Sequence, residues 1–131
     1  MWLLFYMTSY KLVMPEQTNH YGFLFGGNLL KWVDETAWMA VSMDYPTFRF
    51  LTIGMNAVEF RKGAQCGAIL RFDVEMSRLG RTSITYHVSV YKRELGTEID
   101  EEMFKTEITF VRVNAAGEKM EITTEGVGSR A

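Results

Sequence analysis

The pattern of apolar and polar residues predicts one long helix over residues 26–43. Its apolar side chains cover most of the circumference, which is typical of a helix covered by other elements rather than one lying on a surface. These residues are Leu29, Leu30, Trp32, Val33, Ala37, Trp38, Ala40, Val41 and Met43. The helix is expected to end near Tyr45 and Pro46, and Asp34 is expected to lie among apolar neighbours.

Alternation of apolar and polar residues predicts five strands around this helix. The first covers residues 8–14 and ends at Pro15, because proline has no amide hydrogen to donate to a ladder. The others cover residues 51–60, with a break at Gly54, and residues 68–78, 82–92 and 103–113. Short connections favour an antiparallel meander. The predicted α+β architecture is one strand, one long buried helix and four antiparallel strands that curl around it.

The length of 131 residues is expected to form a single domain with its own core. Residues 1–7 form an extra apolar segment that is too short to span a bilayer, which takes about 20 residues. They also lack a basic leader, so we expect neither a signal nor an anchor. Residues 114–131 are polar and Gly-rich and are expected to be a partly flexible tail. Because a single sheet leaves strand edges open to pairing, we expect a dimer that joins two sheets edge to edge.

Charge and cysteine content narrow the classes of function. The net charge of −2 gives no reason to expect a nucleic-acid partner. Cys66 is the only cysteine, so no intrachain disulfide is possible and an oxidising compartment is not implied. We therefore expect a cytoplasmic protein. Two histidines and one thiol cannot assemble a structural zinc set, and we expect no metal.

Two features of the helix suggest chemistry. A carboxylate at Asp34 is costly in an apolar interior unless it is paired, so it is either a functional acid or is satisfied at a seam by a backbone amide or an arginine. Gly26 and Gly27 lie where the helix begins, and the unpaired amides there could hold a carbonyl oxygen that gains negative charge. The alternative is that these glycines only let the helix enter a tight sheet.

A resemblance to a known family rests on several motifs in order. Residues 15–27 read PEQTNHYGFLFGG and continue as LLKWVDE at 29–35. This block resembles the acyl-CoA thioesterases of the hotdog fold, specifically the brain acyl-CoA hydrolase group and its bacterial relatives. The resemblance continues through GMNAVEF at 54–60, Lys62-Gly63 and GRTS at 80–83, and it covers roughly residues 8–113.

The resemblance implies a hotdog domain that forms a double-hotdog dimer, often assembled into a trimer of dimers. The active site then lies between two protomers, with Asn19 and Asp34 as the catalytic pair, one from each subunit. The amides of Gly26 and Gly27 are expected to polarise the thioester carbonyl. The residues expected near the CoA phosphates are Gly80, Arg81, Thr82 and Ser83.

The implied activity is hydrolysis of an acyl-CoA thioester, in which CoA is part of the substrate and no cofactor is needed. Asp34 either deprotonates water or attacks the acyl carbon, and the Asn19 amide positions the water or holds the oxyanion. The alternatives are an acyl-CoA-binding module without turnover, a hotdog hydratase and a structural oligomer. A hydratase needs a histidine about five residues after the aspartate, where this chain has Met39.

Other candidate residues are expected to have structural or peripheral roles. His20 is expected at the surface or a ligand rim, and His87 is expected to be structural. Cys66 has no nearby base in sequence and is a poor nucleophile candidate. Trp32 and Trp38 are expected in the core.

Overall fold

One α-helix lies against a five-stranded antiparallel sheet in this computed structural model, which describes residues 6–128. The elements in chain order are β1 (Tyr6–Leu12), α1 (Gly26–Asp44), β2 (Arg49–Phe60), β3 (Ile69–Leu79), β4 (Ser83–Arg93) and β5 (Glu101–Val113). Short 3-10 turns cover Pro15–Gln17 and Thr124–Gly126. Each predicted strand and the predicted helix is found within two residues of its expected bounds. Residues 1–5 of the apolar opening segment lie outside the described residues, and Tyr6 and Met7 begin β1.

The sheet order is β1-β3-β4-β5-β2. The predicted meander is correct for β3, β4 and β5, but it is wrong for β2, which pairs with β5 instead of β3. The connection over residues 61–68 is longer than a usual hairpin loop of about two to five residues. This connection is held just before the start of α1, where Leu24 N–H donates to Ala64 O. Its length lets β2 lie at the edge of the sheet, with β4 and β5 between β2 and β3.

The core lies between α1 and the inner face of the sheet. The predicted alternation is confirmed, because the inward residues of β3, β4 and β5 are fully or almost fully buried: Leu70, Phe72, Val74, Ile84, Tyr86, Val88, Val90, Ile108 and Phe110. From α1 they meet Leu29, Trp32, Val33, Ala37, Ala40 and Val41. Burying a large apolar side chain contributes about 1.5–3 kcal/mol, so this layer holds the helix on the sheet.

The outer side of α1 remains exposed in the single chain. Trp38, Met39 and Met43 are 40%, 44% and 43% exposed. The expectation that Trp38 is a core residue is therefore wrong, and the helix is buried along its sheet-facing side only. One chain has no second layer to cover the opposite side. Across residues 6–128, no helix combines the length and apolarity that a membrane crossing requires.

The segment expected to be a partly flexible tail follows a defined path as far as residue 128. Its backbone is hydrogen-bonded to strand and loop carbonyls, with Met120 N–H donating to Arg112 O at 2.9 Å and Ile122 N–H donating to Arg81 O at 2.8 Å. Gly126 packs against Phe48 so closely that a Cβ there would lie 2.1 Å from the ring. This segment therefore lies along the β3–β4 turn and the end of α1.

Candidate active site

Asp34 of α1 meets Thr52 of β2. The Thr52 hydroxyl donates to Asp34 Oδ1 at 2.9 Å. Thr52 lies on the inner face of the sheet, because it pairs with the buried Phe110 of β5. Asp34 is half-buried, and its Oδ2 accepts no hydrogen bond within residues 6–128. The carboxylate is thus satisfied by a hydroxyl, not by the backbone amide or arginine considered from the sequence, and one oxygen is left to accept a proton.

Thr52 is the site residue that the sequence did not indicate. It precedes a β-bulge, since the pairing register with β5 shifts between Thr52 and Gly54. The predicted break at Gly54 is confirmed. Thr52 follows the same alternation that turns Phe50 inward, and the bulge after it brings Met55 to the inner face as well. The sequence signal that could have indicated Thr52 is its polar side chain between Phe50 and Met55, the neighbouring apolar residues on the inner face of β2.

Asn19 closes the loop that precedes α1. Its Oδ1 accepts hydrogen bonds from Tyr21 N–H at 2.9 Å and Phe23 N–H at 3.1 Å, and its own N–H donates to Phe23 O. Gly22 completes the turn with a φ of 84°, which favours glycine. The Asn19 NH2 group donates no hydrogen bond to any described residue. The amide oxygen is therefore committed to the loop, and the NH2 group is the part left for a ligand.

The first turn of α1 leaves backbone donors available. Asn28 N–H and Leu29 N–H both donate to Phe25 O, whereas the N–H groups of Gly26 and Gly27 find no acceptor within residues 6–128. A Cβ on Gly26 would lie 3.4 Å from the Phe60 ring, which is an ordinary van der Waals contact. A Cβ on Gly27 would meet nothing within 4 Å. Tight packing therefore requires glycine at neither position.

A mainly apolar cleft of about 340 Å³ lies beside this first turn. It is within the usual size range of small-molecule sites, about 300–1,000 Å³. Its lining combines apolar side chains with two cations: Leu24, Gly26, Leu29, Phe60, Arg61, Lys62, Gly63 and Met103. The unpaired amide of Gly26 thus lies in a cleft that is lined by both apolar and cationic side chains.

Asn19 and Asp34 do not meet within one chain. The Asn19 loop is held against residues 64–66, with Cys66 N–H donating to Gly22 O, whereas Asp34 contacts Thr52. Asp34 is also eight residues beyond Gly26, which is about 12 Å along the helix axis at the usual rise. A single chain therefore carries both expected catalytic residues without assembling them.

The Gly80–Ser83 segment forms the β3–β4 turn, where Gly80 N–H donates to Ser83 O at 2.8 Å. Ser83 pairs with Val111, which pairs with Leu51, the neighbour of Thr52. The distance from the turn to Thr52 across the sheet is two strand spacings, or about 10 Å. The structure thus brings the expected phosphate-binding turn to the same end of the sheet as Asp34. Arg81 projects there with its side chain 76% exposed.

A second acid, Asp44, is fully buried, and the sequence did not indicate it. The Tyr86 hydroxyl donates to Asp44 Oδ2 at 2.5 Å. Burial first, and then the charge of Asp44, raise the pKa of Tyr45 above its ordinary 10.0. This pair fastens the end of α1 to β4 and lies away from the first turn of the helix, so its role is structural.

The remaining candidates lie at the periphery or in the core. His87 lies on the outer face of β4, 3.8 Å from Glu107, and His20 and Cys66 are exposed. Trp32 is buried, as expected. Within residues 6–128, no group of three or more His, Cys, Asp or Glu side chains is arranged to hold a metal ion.

Comparisons with known proteins give the chain a family and relatives. A family model described as "Thioesterase superfamily" matches residues 21–99. The mouse acyl-coenzyme A thioesterase 11 is 29% identical over 101 residues, which are 77% of this chain and 17% of the relative. An uncharacterised acyl-CoA thioester hydrolase of Buchnera aphidicola is 28% identical over 87 residues, which are 66% of this chain and 64% of the relative. The chain thus spans less than two thirds of the length of either relative.

Several solved structures share the fold. An acyl-CoA hydrolase from Staphylococcus aureus, determined with butyryl coenzyme A, coenzyme A and coenzyme A disulfide, is 23% identical with a TM-score of 0.80, over 89% of this chain and 71% of that one. It was also determined with an aspartate, an asparagine or a threonine replaced by alanine. A hexameric thioesterase from Yersinia pestis is 22% identical with a TM-score of 0.78, over 88% of this chain and 93% of that one.

These similarities confirm the expected hotdog fold, one helix held against a five-stranded antiparallel sheet. The family model covers more than half of the chain, and its match includes α1, β2, β3 and β4. The chain therefore belongs to the thioesterase superfamily.

Proposed function

We propose that this protein hydrolyses acyl-CoA thioesters to a free acid and CoA. The observation that carries the proposal is the half-buried carboxylate of Asp34, held at one oxygen by Thr52 and open at the other. Thioester hydrolysis needs such a group, either to take a proton from water or to attack the acyl carbon. Relatives named as acyl-CoA thioesterases and hydrolases support the choice of substrate class.

The proposed chemistry uses Asp34 in the third turn of α1, the amides at the start of the helix and Asn19 in the preceding loop. Water, deprotonated by Asp34, adds to the thioester carbon, the carbon–sulfur bond breaks, and the proton passes to the departing CoA thiolate. In the variant in which Asp34 attacks first, water releases the acid from an acyl-enzyme. The free amides of Gly26 and Gly27 and the NH2 group of Asn19 supply donors for the oxyanion.

Thr52 is the proposed positioning residue for Asp34. Its hydroxyl fixes one carboxylate oxygen and so determines where the other points. The mutated asparagine and aspartate of the Staphylococcus aureus enzyme are 15 residues apart, as are Asn19 and Asp34, and a threonine of that enzyme was mutated as well. The equal spacing supports the assignment of Asn19 and Asp34 to one site. The mutated threonine lies 17 residues after the aspartate of that enzyme, whereas Thr52 lies 18 residues after Asp34.

The proposed site is shared by two chains, because Asn19 and Asp34 do not meet within one. A partner that pairs along the free edge of β2 would cover Leu51 and Ile53, which are 52% and 60% exposed. We propose a double-hotdog homodimer in which the partner supplies Asn19, assembled further into a trimer of dimers. Hexameric relatives support that assembly.

The proposed CoA-binding element is the β3–β4 turn. Arg81 offers an exposed guanidinium to the phosphates, and Gly80, Thr82 and Ser83 form the backbone around it. Besides water, acyl-CoA is the small molecule that the proposed reaction requires, with CoA as part of the substrate and no further cofactor.

The test is a panel of short, medium, long and aromatic CoA esters, with release of free thiol as the readout. We expect hydrolysis of at least one ester class by the unmodified protein and near-complete loss in Asp34→Asn, with unchanged thermal unfolding and oligomer size. Binding of acyl-CoA without thiol release would support a binding module instead. An Asp34→Asn variant that keeps its turnover would remove Asp34 from the proposed role.

A further inference from the structure

The C-terminal segment holds the β3–β4 turn from outside the sheet. We call residues 119–122 the C-terminal strap. Ile122 N–H donates to Arg81 O at 2.8 Å, and Arg112 N–H donates to Thr82 O at 2.9 Å. The Arg112 guanidinium also donates to Glu121 O, and Met120 N–H donates to Arg112 O. The backbone of the turn and that of the strap are therefore fixed relative to each other.

This arrangement places one carboxylate of the strap beside Arg81. Glu121 Oε2 lies 3.7 Å from Arg81 Nη1, and the two side chains are 58% and 76% exposed. Another acid of the same segment, Glu118, is engaged elsewhere, since its Oε1 accepts from Asn114 Nδ2. Within residues 6–128, Glu121 is the acid that forms an ion pair with Arg81.

We propose that Glu121 sets the affinity of the protein for the phosphate part of its substrate, by occupying Arg81 until a phosphate replaces it. The inference rests on the proposed function, in which Arg81 binds the phosphates of CoA. A phosphate and the Glu121 carboxylate are both anions that require the same guanidinium, so binding of one opposes the presence of the other. Glu121 thereby changes the affinity for the phosphates of the ligand and does not change the affinity for its acyl group.

The exposure of Arg81 and Glu121 determines how much Glu121 can change the affinity for phosphate. An exposed ion pair is weak and screened by salt, so removing its acid changes affinity only a few fold. The change is expected to be larger at low ionic strength and to shrink at about 0.5 M salt, where the Debye length falls to about 4 Å.

The test compares Glu121→Gln with Glu125→Gln, which removes the same charge from an exposed position in the next turn of the segment. Each is assayed with a CoA thioester and with the matching pantetheine thioester, which lacks all phosphates. We expect Glu121→Gln to lower KM for the CoA ester about two- to fivefold at low salt, with kcat and the pantetheine KM unchanged. Glu125→Gln should leave all of these values unchanged.

A second arm separates this inference from the proposed activity. Calorimetry with CoA alone needs no turnover, and it should show tighter binding for Glu121→Gln but not for Glu121→Gln placed in an Arg81→Ala background. An equal gain in both backgrounds, an equal gain for pantetheine esters, or no gain with CoA would overturn the inference. Absence of thiol release from every ester would instead overturn the proposed hydrolysis, and the calorimetric result would still decide the role of Glu121.

Discussion

At the scale of residues, the hydrogen bond between Thr52 and Asp34 determines how the proposed catalytic carboxylate is presented. Thr52→Val replaces the hydroxyl with a methyl group of similar shape. We expect kcat to fall about 10- to 100-fold with little change in KM, because a misplaced catalytic group costs rate rather than binding. Steady-state thiol release measures both values. Thr52→Ser restores the hydroxyl and should restore most of the rate, whereas equal losses in both variants would argue against positioning through this bond.

The sequence could supply some site residues and not others. Asn19 and Asp34 follow from the family resemblance, because they occupy motif positions. Thr52 could not be found this way, since its contact with Asp34 joins a strand to a helix 18 residues away in sequence. Asp44 could not be found either. It resembles an ordinary acid at a helix end, and its burial depends on Tyr86 from β4.

The negative charge of Asp100 is expected to stabilise the folded chain. A hydrogen bond from Arg93 at 2.7 Å and contacts with Arg71 hold the pKa of Asp100 below its ordinary 3.8. The charged form of Asp100 therefore stabilises the folded chain above pH 3.8. This contribution to stability is lost as the pH falls through the lowered pKa of Asp100 in the folded chain. Asp100→Asn should lower the free energy of unfolding near pH 7, and this deficit should shrink as the pH falls below 3.8.

Denaturant unfolding over this pH range measures the difference between the two proteins. Glu16→Gln is the control, since Glu16 is exposed and forms no ion pair among the described residues. A deficit in Asp100→Asn that does not shrink as the pH falls below 3.8 would rule out the charge as its cause.

At the scale of elements, one close contact adds to the hydrogen bonds that hold the segment after β5. Gly126 lies against Phe48, whose ring stacks on Tyr45 and carries the Arg112 guanidinium 3.4 Å from its centre. Because the ring is held on two sides, Gly126→Ala should force the segment away and lower the free energy of unfolding by about 1–3 kcal/mol. Urea unfolding measures this. Thr124→Ala, in the same turn but exposed, should change stability by less than about 0.5 kcal/mol.

The elements themselves were largely predictable, but their neighbours in the sheet were not. Local alternation in β3, β4 and β5 and the apolar spacing of α1 determine element type and approximate bounds. The position of β2 beside β5 depends on how residues 61–68 pack at the start of α1, which leaves no periodic signal. Residues 114–128 also lack alternation, so the backbone hydrogen bonds that tie them to Arg81 and Arg112 could not be read from the pattern.

At the scale of the whole molecule, β2 is an edge strand with apolar residues that one chain leaves uncovered. Ile53 is 60% exposed on this edge, next to Thr52. Ile53→Lys should weaken the proposed dimer, since a charge on an edge strand opposes pairing, and activity should fall in parallel with the dimer fraction. Sedimentation and thiol release at matched protein concentrations measure both. Full activity in a monomeric variant would exclude a site shared between chains.

Complementation tests most directly whether each site combines Asn19 of one protomer with Asp34 of the other. Asn19→Ala and Asp34→Asn should each be inactive as homodimers. In a mixed dimer, a two-fold arrangement places both changes in one site and leaves the other intact. Random reassociation makes about half of the dimers mixed, so activity should return to about one quarter of the unmodified level. If both residues served the same site from one chain, no intact site could form and mixing would restore nothing.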